Sequence, residues 1–350
     1  MERGIMPNMI RLATAGAIAA LLSVGQVSAQ SENLAEFFEG ETVTILTGHP
    51  PGGSYDLYAQ LAARHLGKHI PGNPEVIVQH MPGGGGSIAS AHFANRSTND
   101  GTVIGLLPEP LAAKQLMEPE SSHWDLNEMR YIGRFNDVRS VMMVRDGAPA
   151  QTVEQLREIE SPVGCTGTTS SSSQTGAVTR YFTDLKFRMV CGYDGSSSVI
   201  LALTRGEVDL TSSVWTNWLS SQSEAIESGA VKPILQFGLE PIAGLEDVTL
   251  AIDLIDDPAA KSAMKFFAAS GEIGRSLIAP PGMSDELYQM FTEAFDAMVT
   301  DPEFLADTSE KGIPLNILNG AGMEEVKTLI LSTPEEDVKL LATAMDEGFN

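Results

Sequence analysis

Backbone amides in the stretch His49-Pro-Pro-Gly-Gly-Ser-Tyr-Asp56 are well placed to hold an anion. The stretch lies between an apolar run, Val43 to Leu46, and a helical pattern from Leu57 to Leu66, so it reads as strand, glycine-rich turn and helix start. N–H groups in the first turn of a helix lack intrahelical partners and carry the positive end of the helix dipole, which suits a carboxylate or phosphate. Gly52 and Gly53 let a ligand approach the backbone. Asp56 would repel a carboxylate, so its expected role is to accept from loop N–H groups near the helix start.

Other groups have weaker claims. A second glycine run, Met81-Pro-Gly-Gly-Gly-Gly-Ser87, also precedes a helical stretch. At Gly84 and Gly85 a phosphate cradle, a cleft wall and a simple connector all fit, and the cleft wall is the reading adopted. The Ser/Thr-rich loop Thr166 to Ser173 offers donors or a nucleophile, but no G-x-S-x-G frame surrounds it. Tyr193, Ser196, Ser213 and Trp215 follow strand ends and are expected at a cleft, with core packing equally open for Tyr193 and Trp215. His65 and His69 have the i, i+4 spacing of metal ligands, but no acidic third ligand is near in sequence; they are expected as a solvent-facing pair, with no metal or other cofactor. Arg180, Arg188, Arg205 and Arg275 are candidates for a ligand's distal charge, and the sequence does not choose among them.

These groups need a scaffold. A short helix over Leu34 to Glu39, strand Glu41 to Thr47, helix Leu57 to Lys68, strand Glu75 to Gln79, helix Ile88 to Asn95 and strand Val103 to Leu107 give a βαβαβ order, hence a parallel sheet covered by helices. Both glycine loops follow strand ends, where open α/β sheets place ligands. Tyr131 to Phe135 and Ser140 to Val144 read as extended chain crossing to a second unit. There the pattern repeats: strand to Cys165, the Ser/Thr loop, helix Gly176 to Leu185, strand Phe187 to Cys191, helix Val199 to Arg205, strand Leu210 to Val214 and strand Lys232 to Phe237. Ser276 to Ala279 reads as the return crossing. A helix capped by Ser284, one opened by Asp301-Pro302 and a helical stretch from Glu324 to Met345 end the chain. The expected fold is α/β, two-lobed, each lobe a mainly parallel sheet flanked by helices, with two hinge crossings. Residues 30–138 plus 276–350 form lobe 1 and residues 139–275 lobe 2.

Composition narrows the partners. Forty-six Asp and Glu against 22 Lys and Arg give a net charge of −24, which with no basic stretch argues against nucleic acid and anionic membrane surfaces. Arg3 and Arg11, the apolar run Leu12 to Val24 and the small residues Val27-Ser28-Ala29 read as a secretory signal, with residues 1–29 removed and Gln30 the mature start. The mature chain is then expected outside the cytoplasm, with no later run long enough to span a membrane. In an oxidising compartment, Cys165 and Cys191 end what read as neighbouring parallel strands, so either a disulfide or two buried thiols fits.

Six motifs occur in order between about residues 41 and 313: Pro51-Gly-Gly-Ser-Tyr-Asp56, Met81-Pro-Gly-Gly-Gly-Gly86, Asn99-Asp-Gly-Thr102, Gly192-Tyr-Asp-Gly195, Gly206-Glu-Val-Asp209 and Ala279-Pro-Pro-Gly282. In this arrangement, behind a signal peptide, the chain resembles the periplasmic solute-binding proteins of tripartite tricarboxylate transporters, the Bug or TctC family. The resemblance implies a Venus-flytrap protein in the periplasm that binds a small carboxylate and delivers it to a membrane permease, with no turnover. It also implies two carboxylate-holding loops. The first is Gly52, Gly53, Ser54, Tyr55 and Asp56, with His49 where relatives often carry an aromatic that packs on the ligand. The second is Thr166, Gly167, Thr168, Thr169, Ser170 and Ser171, where Thr169 and the serines replace a second glycine and its neighbours. A monomer is expected. The rival readings are an exported α/β hydrolase-like enzyme, for which His49 near Ser170 is the arrangement to check, and a sensory binding protein serving a receptor.

Overall fold

The computed structural model describes residue 1, residues 33–167 and residues 170–349. The expected signal segment, its cleavage site at Ala29/Gln30, and Thr168 and Thr169 lie outside the described residues.

Two six-stranded sheets carry the fold. The first comprises β1 (Thr42–Thr47), β2 (Glu75–His80), β3 (Val103–Leu106), β4 (Arg130–Asn136), β11 (Arg275–Ala279) and β12 (Leu318–Asn319), in the order β12, β4, β11, β3, β1, β2. The second comprises β5 (Ser140–Arg145), β6 (Ser161–Cys165), β7 (Phe187–Cys191), β8 (Leu210–Val214), β9 (Val231–Phe237) and β10 (Thr249–Leu250), in the order β10, β9, β5, β8, β6, β7. β1 is parallel to β2 and β3, and β6 is parallel to β7 and β8. β4 is antiparallel to both its partners, β11 and β12, β11 is antiparallel to β3 as well, and β5 is antiparallel to β8 and β9. The two-lobed α/β architecture is therefore present, but both sheets are mixed rather than mainly parallel, because the strands next to the first crossing and the return strand pair antiparallel.

Register shows where the lobes meet. β4 ends at Asn136, opposite Arg275 at the start of β11, and β5 starts at Ser140, opposite Val214 at the end of β8. Both crossings consequently join the carboxyl edges of the two sheets, so the loops that leave the parallel strands open toward the hinge. Apolar side chains such as Ile45, Leu61, Phe135 and Phe295 fill the first lobe, and Met143, Leu203 and Trp218 pack in the second.

A buried charged cluster fastens the crossings. Arg134 on β4 donates to the Glu272 carbonyl at 2.6 Å and to its carboxylate at 3.1 Å, while Arg139 in the first crossing pairs with Asp137 at 2.6 Å. Asn316 also donates to Asp137. All four charged residues are under 10% exposed. Burial pulls the Arg134 guanidinium below its ordinary value, and Glu272 and Asp137 oppose that shift. Gly274, beside the cluster, has φ +53°, and a Cβ there would meet the Asn136 carbonyl and come within 2.8 Å of Asp137 Cα.

Four details depart from the sequence reading. Ser276 to Ala279 is not the return crossing but the body of β11, inserted between β3 and β4; Tyr131 to Phe135 likewise belongs to β4, inside the first sheet. The expected helical stretch Glu324 to Met345 is two helices, Gly320–Leu331 and Glu335–Glu347, because Pro334 cannot continue the first. The second of these packs on helices Ser171–Phe182 and Pro258–Ile273. His65 and His69 are not solvent-facing: they are 12% and 17% exposed and lie 3.0 Å from Asp307 and 3.2 Å from Asp301. These are contacts between helices Ser54–His65 and Pro302–Glu310 and the turns beside them, which one-dimensional spacing does not reveal. Among the described residues no cluster of three or more His, Cys, Asp or Glu could hold a metal, and no helix is long and apolar enough to cross a membrane.

Cys165 and Cys191 are register partners on β6 and β7, with Cα atoms 4.4 Å apart, and are joined by a disulfide. The denatured, unreduced protein is expected to show no titratable thiol, and Cys165→Ser with Cys191→Ser to cost about 3 kcal/mol in denaturant unfolding; two free thiols would contradict the bond. Gly274→Ala is expected to lose at least about 2 kcal/mol in the same measurement, through the strained φ and the collision with the crossing.

Candidate functional site

The turn after β1 enters the helix Ser54–His65 through Gly53, which has extended backbone. Asp56 secures the turn: its carboxylate accepts from the Gly52 N–H at 2.8 Å and contacts His80 Nε2, at the end of β2, at 2.8 Å. Burial pushes the Asp56 carboxyl up, but the bonds from Gly52, His80 and Gln60 outweigh it and hold the group below its ordinary value. It stays ionised and spends its charge inside the loop. Gly52 and Gly53 are exposed, and a Cβ on either would meet nothing within 4 Å, so their neighbourhood is open.

His49 and Tyr55 stack within this loop, with centroids 3.7 Å apart and planes 3° from parallel. The Arg275 guanidinium carbon lies 3.9 Å from the Tyr55 centroid, so with His49 covering one face of the ring it takes the other. Arg275 also donates to Ser54 Oγ at 2.7 Å and to Glu109 at 2.9 Å, and the Glu109 N–H donates to the Tyr55 hydroxyl at 3.2 Å. The loop thus holds an arginine from the hinge, neutralised by a carboxylate that follows β3. Burial lowers the His49 pKa, Glu109 opposing and Arg275 reinforcing the shift, so the ring is neutral at pH 7.

Gly83 to Gly86 all have positive φ. Gly86 packs so closely that a Cβ there would strike Pro108, while Gly84 and Gly85 are exposed at the rim. This run therefore walls the first loop on the β2 side, with glycine required by backbone conformation.

On the opposite lobe, Thr166 follows Cys165. Thr166 Oγ1 lies 2.7 Å from Ser170 Oγ, which lies 2.7 Å from Ser173 Oγ, and Ser170 also caps the helix Ser171–Phe182 through the Ser173 N–H. Gly192 N–H donates to the Thr166 carbonyl, tying this loop to the one after β7. Gly167 is exposed and open. Ser171 and Ser196 begin their helices. Ser213 Oγ accepts from Asn217 at 2.8 Å. Tyr193 and Trp215 sit at the carboxyl edge yet pack partly on the apolar cluster around Val141 and Leu203. His49 and the Ser170 hydroxyl are thus each engaged within their own lobe.

Helix starts differ systematically between this edge and the rest of the molecule. Six helices follow β1, β2, β3, β6, β7 and β8, and the residues ahead of them are Gly53, Gly86, Pro110, Ser170, Gly195 and Val214; Ser170 alone supplies a side-chain cap. Away from the edge, Thr152, Asp257, Ser284, Asp301 and Asn319 each cap their helix, and the helix at Glu335 is the exception. Uncapped first-turn N–H groups seek an acceptor from outside the chain. The carboxyl edge therefore carries helix starts whose donors and dipole ends have no side-chain cap, although the chain carries excess acid.

Beside the hinge lies a cavity of about 460 Å³, lined in part by Glu109, Lys114, Arg139, Gln174, Thr175 and Arg275. Of the four arginines weighed from sequence, Arg275 reaches this region; Arg180 binds the Gly348 carbonyl, Arg188 pairs with Glu160, and Arg205 is exposed at the far end of its helix. Glu109, His80, Arg139 and Gln174 were not legible as site residues. Glu109 had a usable signal, since it follows the third parallel strand as the other loops follow theirs.

Comparison with known proteins shows a family and a shared fold. The family model of the tripartite tricarboxylate transporter family receptor, TctC, matches residues 59–323. No curated protein sequence matches the chain significantly. Among solved structures, a TctC solute-binding protein from Polaromonas is 20% identical, covering 83% of this chain and 98% of its own, with a TM-score of 0.64. The periplasmic binding protein BugD is 18% identical over 88% and 98%, with a TM-score of 0.54. An R. palustris protein solved with adipate is 17% identical over 86% and 97%, with a TM-score of 0.57, and MatC from Rhodopseudomonas palustris, solved with malate, is 15% identical over 87% and 99%, with a TM-score of 0.52. The match spans most of the chain and the fold is shared, so this protein belongs to the TctC family of tripartite tricarboxylate transporter receptors.

Proposed function

We propose that this chain is an exported solute-binding protein of the periplasm that holds a small organic carboxylate between its two lobes and delivers it, as a monomer, to a membrane permease. The observation that carries this reading is the row of uncapped helix starts along the carboxyl edges that face the hinge. In this reading the N–H groups of Gly53, Ser54 and Tyr55 take one side of the carboxylate, and the loop Thr166 to Ser171 takes the other. The family supports the receptor role, and the relatives solved with adipate and malate support the ligand class. Closure of the lobes excludes water and strengthens each N–H contact in the lower dielectric. Neither a metal nor an oriented nucleophile is needed, and the protein binds without turnover.

Two measurements test it. Thermal unfolding is expected to shift upward with small carboxylates and not with sugars or divalent cations; the reverse pattern would overturn the ligand class. Ser54→Pro removes one first-turn N–H at a helix position that tolerates proline, behind a Gly53 whose extended backbone accepts it. Carboxylate affinity in calorimetry is expected to fall about tenfold or more, the loss of one charge-assisted hydrogen bond. Ser54→Ala, which keeps the N–H and loses only the Arg275 contact, should retain most of the affinity; equal losses in both variants would contradict recognition by the backbone.

A further inference from the structure

The hinge-side cavity points to the chemical class of the ligand, an inference that rests on the carboxylate reading above. The cavity is not lined by the two loops themselves but by residues that touch or follow them. Arg275 in its wall is bonded to Ser54 of the first, and Gln174 and Thr175 belong to the helix that the second loop begins.

Charges in the wall are already matched. Arg275 pairs with Glu109 at 2.9 Å, Arg139 with Asp137 at 2.6 Å, and Lys114 lies 3.7 Å from Glu118 and donates to Ser87 at 3.0 Å. A second carboxylate seated on Arg275 would have to displace Glu109, leaving that acid without its partner in a partly buried site, which is costly. Much of the remaining surface is apolar, from Met117, Val214, Phe237, Phe267, Leu341 and Met345. About 460 Å³ is within the size range of small-molecule pockets, about 300–1,000 Å³.

We infer that the ligand is a monocarboxylate with an apolar body: the two loops hold its carboxylate, and the cavity between helices Leu111–Met117 and Glu335–Glu347 takes its hydrocarbon part. The matched pairs reject di- and tricarboxylates by leaving their distal charge unpaired.

Calorimetric titration of the purified protein with 3-phenylpropionate, malate and citrate tests this, together with two variants. Ala342 lines the cavity from an exposed position on the C-terminal helix, so Ala342→Phe fills space with little risk to folding. The unmodified protein should bind 3-phenylpropionate most tightly. Ala342→Phe should weaken that acid roughly tenfold and leave malate nearly unchanged, because only the hydrocarbon part loses its room. Glu109→Gln, which leaves the Arg275 charge unmatched, should shift the preference toward malate and citrate. If malate or citrate binds more tightly than 3-phenylpropionate to the unmodified protein, or if Ala342→Phe alters nothing, the inference fails while the carboxylate reading stands. If no acid binds, both fail.

Discussion

Holding an anion on a chain of net charge −24 requires positive potential that does not come from a surplus of cations. In the proposed reading helix starts supply it. Five of the six helices that leave the carboxyl edges of the parallel strands have no side-chain cap, and their first-turn N–H groups carry the positive ends of the helix dipoles. The cations near this edge, Arg275 and Arg139, are already paired with Glu109 and Asp137. In that reading recognition by uncharged donors leaves the site free of a large fixed charge, and a bound acid is held by hydrogen bonds that gain strength as water leaves.

The scaffold serves that arrangement. Parallel strands put every loop at one edge, and β11 and β5, set against their neighbours, bring both crossings to the same edge. The buried cluster of Arg134, Asp137, Arg139 and Glu272 ties the crossings together. Such a cluster adds little net stability but is costly to break, so it fixes the geometry of the hinge. On the second lobe the disulfide between Cys165 and Cys191 lies directly before Thr166, whose hydroxyl contacts that of Ser170, which in turn contacts that of Ser173. The first loop depends instead on Asp56, which accepts from Gly52 and faces His80.

Local patterns carried most of the architecture. Alternating apolar runs and glycine turns marked the strands and helices around β1 to β3 and β6 to β8, and strand-end loops marked the two lips of the cleft. What escaped depended on contacts distant in sequence. β11 reads as a crossing because its three-residue apolar run, Leu277 to Ala279, cannot announce that it lies between β3 and β4. His65 and His69 read as exposed because their acids, Asp307 and Asp301, are more than two hundred residues away. Glu109, His80 and Arg275 form the first loop's support through pairings of the same kind, and Gln174 enters the site only through the helix that Ser170 caps. Tyr193 and Trp215 show the opposite case: their position after strand ends was legible, while their shared packing against the second lobe's core was not.

The most direct test is a crystal structure of the protein with a bound carboxylate. Recognition by helix starts predicts carboxylate oxygens within ~3.2 Å of the N–H groups of Gly53 to Tyr55 on one lobe and of the Thr166 to Ser171 loop on the other, with the Arg275–Glu109 pair intact. A carboxylate seated on Arg275 in place of Glu109, with the first-turn amides facing solvent, would contradict it.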